Sequence, residues 1–164
     1  MATVIDRRVF AGVIAARLTT VTNAAGYYGQ IGRALPGQTI GTGTGHTPAD
    51  PQPKGPHDLR VRPYIVLFPG AGTDGPDTDV ADTFVDLDAP FQVTVAGGDI
   101  DDVLALATRV DTALNRWTPP PTGGMRFGRL APPAGYDPGP VLTDASTKPA
   151  RLYTPLLYRA IAHT

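Results

Sequence analysis

The side chains able to do chemistry in this sequence are almost all aspartates. All 15 acidic residues are Asp, 12 of the 14 basic residues are Arg, and there is no cysteine. Two Asp groups raise the question of a metal. Asp74, Asp77, Asp79 and Asp82 lie close together, but no glycine stands at the sixth position of a calcium loop and no Glu closes a twelve-residue one. Asp99, Asp101 and Asp102 follow Gly97-Gly98. Their spacing is that of a helix start, with Asp99 capping free N–H groups and the other two meeting the positive end of the helix dipole. His46 and His57 are isolated and lack a third ligand for zinc. Gly41-Thr-Gly-Thr-Gly45 has no Gly-Lys-Ser/Thr after it and no strand or helix around it, so it reads as a loop and not as a phosphate cradle. The only serine is Ser146, which with the missing cysteine removes the usual nucleophiles of a triad. Tyr153 and Tyr158 read as core or interface residues. No catalytic, cofactor or metal site is expected.

The elements that must position these side chains are led by Pro90–Pro121. Phe91, Val93 and Val95 alternate with Gln92, Thr94 and Ala96, which predicts a half-buried strand opening at Pro90. Ile100, Val103, Leu104, Ala107, Val110, Leu114 and Trp117 recur at three- and four-residue steps, which predicts a helix lying on a sheet. Pro119–Pro121 end it. Asp6–Leu18 reads as a first helix capped by Asp6. Short strands are expected at Ala25–Ile31 and Gly124–Leu130, and longer ones at Leu59–Phe68 and Ala150–Ala162. Tyr64–Phe68 is a continuous apolar run suited to cover on both faces. Phe84–Leu87 begins a further pairing. Pro155 requires an edge or a bulge within the last strand. These predict an α+β fold: a mainly antiparallel or mixed sheet packed against an N-terminal helix and one long helix. Three Pro/Gly-rich insertions, at about 36–58, 69–83 and 131–149, are expected as irregular loops.

The 164 residues fit one domain, residues 1–164, with 41% hydrophobic residues and 37 Gly and Pro together. No stretch has the apolar length of a membrane span or a signal peptide, so a soluble protein made inside the cell is expected. A net charge of −1 argues against a general nucleic-acid binder. Charge is nonetheless arranged in blocks. Residues 1–62 hold seven basic and three acidic residues, 63–108 hold nine Asp and no Lys or Arg, and 109–164 again hold seven and three. Blocks of opposite sign suit contact between copies of one chain.

In order and spacing the pattern resembles the tail terminator (tail completion) proteins of long-tailed bacteriophages. The residues that carry the resemblance are the helix Val9–Leu18, the strand Pro63-Tyr-Ile-Val-Leu67, the strand Phe91-Gln-Val-Thr-Val95, the helix ending Leu114-Asn-Arg-Trp117, and the closing strand Leu152–Arg159. The three insertions lie outside it. The resemblance implies a virion structural protein without enzymatic activity or cofactor, acting at the head-proximal end of the tail. It implies a homo-oligomeric ring, usually a hexamer, that ends tube polymerisation. Its partners would be itself, the major tail tube protein and the head–tail connector or stopper, with DNA only passing through the lumen and no membrane. Asp74, Asp77, Asp79, Asp82, Asp86 and Asp88 are then candidates for the lumen lining or the subunit interface, and Arg60, Arg62, Arg151 and Arg159 for the interface. A head–tail stopper or adaptor, or another minor tail protein, is the alternative within this class. A small enzyme, in which His57 or His163 meets aspartates in a pocket, or a ligand-binding domain is the alternative outside it.

Overall fold

The computed structural model describes residues 5–29, 33–35, 47–74 and 86–163. The Gly41–Gly45 loop, His46 and the start of the pairing expected at Phe84 lie outside them. Along the chain come α1 (Arg7–Leu18), β1 (Ala25–Tyr28), β2 (Arg33–Ala34), β3 (Pro53–Gly55), β4 (Asp58–Val61), β5 (Tyr64–Pro69) and β6 (Thr73–Asp74). They are followed by β7 (Asp86–Gly97), α2 (Ile100–Leu114), β8 (Arg126–Phe127), β9 (Leu142–Asp144) and β10 (Arg151–His163). The main sheet runs β2-β1-β5-β7-β10-β8, with β6 beside β7 and β9 beside β10, and β3-β4 form a separate hairpin. Among the described residues only β1 and β5 pair in parallel; the sheet is otherwise antiparallel and the fold is α+β.

β7 and β10 form the spine, paired from Leu152↔Gly97 to His163↔Asp86. Alternation divides β7 cleanly. Leu87, Ala89, Phe91, Val93 and Val95 are buried in the same core as Phe10, Ile14 and Leu18 of α1 and Val103, Leu106, Val110 and Leu114 of α2. Both helices therefore cover one face. Full burial of each Val, Leu, Ile or Phe side chain among them contributes about 1.5–3 kcal/mol. Phe91 stacks on Tyr158 at 5.6 Å and meets Phe10 edge-on at 6.3 Å, tying α1 to the spine.

Two prolines stand inside these long strands, and the same device accommodates both. Pro90 does not open a strand as expected; it lies in the middle of β7. Its carbonyl accepts from Gly70 N (3.0 Å), in the bend between β5 and β6. The N and C=O of one strand residue point to the same side, so the missing N–H falls where the neighbouring ladder is already interrupted. Pro155 faces away from β7, where its carbonyl accepts from the Tyr136 hydroxyl (2.6 Å) in the gap between the β9 pairing and the Ala131↔Arg159 bridge. The edge position required of Pro155 is met locally.

Other expectations are corrected. Leu59–Phe68 is two strands, because Arg62-Pro63 lets the chain leave the β3-β4 hairpin and enter the main sheet. The three insertions are not wholly irregular: they contain β3, β6 and β9 in turn, each held by backbone pairing. The strand expected over Gly124–Leu130 shrinks to β8 with the bridge at Ala131. α2 stops at Leu114, and Trp117 lies beyond it, after Arg116 at φ 62°. Its buried stripe includes Leu106, while Ile100 (52% exposed) and Leu104 (50%) face outward. The capping expected of Asp6 and Asp99 is present, through bonds from Arg8 N (2.8 Å) and Asp101 N (3.0 Å). Among the described residues, no helix is long and apolar enough to cross a membrane.

Candidate interaction site

The face of the sheet turned away from the helices carries Asp86, Asp88, Arg151 and Arg159 of the charged side chains singled out in the sequence. It displays the even positions of β7 and the odd positions of β10, with Tyr64, Val66 and Phe68 of β5. At one end it is roofed by the β3-β4 hairpin and residues 47–52. There Tyr27, Val61, Tyr64, Val66 and Ala96 form a second small core, and Tyr27 meets Tyr64 edge-on at 5.8 Å. Gly98 allows the hairpin this approach: a Cβ there would stand 2.5 Å from Val61 N.

Beside this roof lies a groove of about 290 Å³, floored by Phe68, Gln92, Thr94 and Tyr153 and flanked by Arg151 and Asp144. Arg151 reaches it from the start of β10. Its Nε donates to Asp144 (2.9 Å), and a terminal nitrogen donates to the Tyr64 hydroxyl (2.9 Å) and to the Pro48 carbonyl. Asp144 also accepts from the backbone N–H (3.0 Å) and hydroxyl (2.5 Å) of Ser146. The Ser146 bonds, reinforced by Arg151, hold the Asp144 carboxyl down at about 2. Burial pushes the Tyr64 phenol up, so it stays protonated at neutral pH. Asp144, Arg151 and Tyr64 therefore each keep one charge state near neutrality, which suits recognition better than proton transfer.

At the far end of the same face, Arg159 Nε donates to Asp88 (2.7 Å) and His163 Nδ1 lies 2.6 Å from Asp86. The hydrogen bonds and charge of Asp88 raise the Arg159 guanidinium above its ordinary value. Arg60 grips Asp58 (2.9 Å) and Asp99 (2.7 Å), while Lys54 pairs with Asp102. The acids at the start of α2 thus clamp the hairpin to that helix as well as capping it. Arg62 is exposed and contacts Gln52 (3.2 Å). Asp74 lies in β6, paired through its backbone with Leu87. Asp77, Asp79 and Asp82 fall outside the described residues.

The structure therefore brings Asp86, Asp88 and Arg159 together and sets Arg151 and Arg60 in separate ion pairs. His57 is exposed in the hairpin turn and His163 meets Asp86 (2.6 Å) at the opposite end of β7, and neither histidine lines the groove. Among the described residues no three His, Cys, Asp or Glu are grouped as a metal site. Sequence reasoning missed the Asp144–Arg151–Tyr64 network. Its one local signal is Asp144-Ala-Ser146, an Asx-turn pattern in which the carboxylate accepts from the residue two positions on. It also missed Asp111, which accepts from Tyr158 (3.2 Å) beneath the loop carrying Tyr136. The chain matches no protein-family model and no curated protein.

Proposed function

We propose that the chain is a structural protein of a phage virion: a tail terminator that caps the head-proximal end of the tail tube as a homo-oligomeric ring, ends tube growth and joins the tail to the head connector. The observation that carries this reading is the ordered set of resembling segments meeting in one unit. α1, β5, β7, α2 and β10 supply the five segments in sequence, the three strands lie side by side, and both helices cover one face. The opposite face is left with fixed charge pairs and part-exposed apolar side chains, as a subunit surface requires. A ring needs contacts that close on themselves, and one such face per subunit can take part in them. Asp74, Asp77, Asp79 and Asp82 remain candidates for a lumen lining, because carboxylates repel passing phosphates, whereas Asp86 and Asp88 are paired with His163 and Arg159.

Tail tubes assembled with and without the protein test this. With it, negative-stain images are expected to show tubes of defined length bearing a terminal ring; without it, tubes of uncontrolled length. A protein that stays a strict monomer, both alone at high concentration and in the presence of tube protein, would overturn the reading.

A further inference from the structure

We infer that the cleft between the C-terminal turn of α1 and the outer side of α2 is a phosphate-binding site. The inference stands apart from the tail-terminator reading. The cleft holds about 310 Å³ and is lined by Arg17, Thr20 and Thr22 on one wall and Thr108, Arg109 and Thr112 on the other, with no acidic residue among its lining. Arg109 is the unexplained group. Its Nε is buried and has no hydrogen-bond partner among the described residues. Asp111, the acid closest to it along α2, is already occupied by Tyr158 (3.2 Å) and Asn115 (3.3 Å). The rest of that guanidinium lines the cleft, and no carboxylate among the described residues pairs with it, so an anion in the cleft supplies its counter-charge.

Arg17 faces Arg109 from α1. Its Nε donates to the Ala113 carbonyl (2.9 Å), and its guanidinium stacks over Trp117 at 5.0 Å. Those two contacts fix the side chain while no carboxylate among the described residues pairs with it. The negative end of α1 would oppose an anion here, but its last carbonyls are occupied. Ala15 accepts from Thr19 N, Ala16 from the Thr19 hydroxyl, Arg17 from Thr20 N and its hydroxyl, and Leu18 from Val21 N. The hydroxyls of Thr20, Thr108 and Thr112 donate to backbone carbonyls, so they offer lone pairs to the cleft.

This donor set selects among oxyanions. A carboxylate has two coplanar oxygens that one guanidinium satisfies. Two guanidiniums on facing walls suit a tetrahedral group, and the threonine oxygens accept the proton that hydrogenphosphate, or a phosphomonoester below its second pKa of about 6, retains. The ligand class is therefore a phosphate group, free or at the end of a small molecule.

Trp117 is the only tryptophan and lies against Arg17, so its emission reports on the cleft. Inorganic phosphate and a simple alkyl phosphate, titrated separately at constant ionic strength, are expected to shift that emission saturably in the wild type and in an Arg126→Gln control. Saturation by one and not the other identifies whether free or esterified phosphate is preferred, and either supports the site. In Arg109→Gln the affinity is expected to fall about tenfold or more, with an intermediate loss in Arg109→Lys, which keeps the charge and lacks the fork. Circular dichroism checks that both variants fold; if the Gln variant does not, the Lys variant carries the comparison. No saturable response to either phosphate, an unchanged response in the Arg109 variants, or an equal response to acetate would overturn the assignment.

Discussion

The absence of Glu has a geometric counterpart in how the carboxylates are used. Asp6, Asp58, Asp99, Asp137 and Asp144 each accept from the backbone N–H two residues on, at Arg8, Arg60, Asp101, Gly139 and Ser146. The short Asp side chain reaches that N–H, and the extra methylene of Glu carries the carboxylate past it. Asp6 and Asp99 were legible because each precedes a helical apolar pattern. The other three stand before turns or strands, where no periodicity flags them. Asp144 gives this use of Asp a pH signature. Its carboxyl is held at about 2 in the folded protein, below the value of about 4 for an unfolded chain. A depressed carboxyl stabilises the fold fully above the unfolded value, and that contribution is lost as pH falls from about 4 through about 2. Asp144→Asn is therefore expected to lower the thermal midpoint at pH 7, with the deficit against wild type narrowing as pH drops through that window. Ser146→Ala, which removes the largest cause of the depression, is expected to raise the Asp144 titration followed by NMR. A deficit in Asp144→Asn equally large at pH 7 and near pH 2 would contradict this account.

At the scale of elements, the two helices and the β7–β10 spine were legible because their periodicities run for ten residues or more. Their faces and ends were less so. On α2 the apolar residues form an arc wider than one stripe, and Ile100 and Leu104 fit a helical face as well as Leu106 does. Contact with β7 and β10 decides it, since it covers Val103, Leu106, Val110 and Leu114 and leaves Ile100 and Leu104 half exposed. Two leucines on one helix make this a direct test. Leu106→Ala is expected to cost about 2–5 kcal/mol of unfolding free energy, as a fully buried truncation does, and Leu104→Ala much less, about 1 kcal/mol or below. Urea denaturation of both variants checks it; comparable losses would put the helix in the other rotation. The proline-containing strands carry a similar lesson. Pro90 and Pro155 were judged against uniform ladders, but each aims its nitrogen into a gap between two shorter neighbours, and a gap made by strands distant in sequence has no local signal.

At the scale of the molecule, the charge blocks were plain in the sequence, but their partners were not. Among the described residues, four acids of the 63–108 block are paired within the subunit: Asp99 and Asp102 with Arg60 and Lys54 from the first block, Asp86 and Asp88 with His163 and Arg159 from the last. Topology explains this, because β7, which carries Asp86 and Asp88, lies beside β10, and the hairpin is set against the start of α2. Part of the complementarity expected between copies thus operates inside one copy. Exposed pairs of this kind contribute about 0–1 kcal/mol each. Association through this face would then depend on its apolar atoms, with the ion pairs as a polar rim. Ile161, 40% exposed, lies opposite Asp88 in the register and on the same face as Phe68 and Pro90. If the proposed ring closes through this face, Ile161→Asp places a carboxylate in the contact beside Asp88, adding like-charge repulsion to the loss of apolar area. In the isolated subunit the same side chain is well solvated, so the thermal midpoint is expected to stay close to wild type. Light scattering on an eluting column should then show a folded monomer where the wild type forms the ring. A ring of unchanged mass in Ile161→Asp would remove this face from the subunit contact.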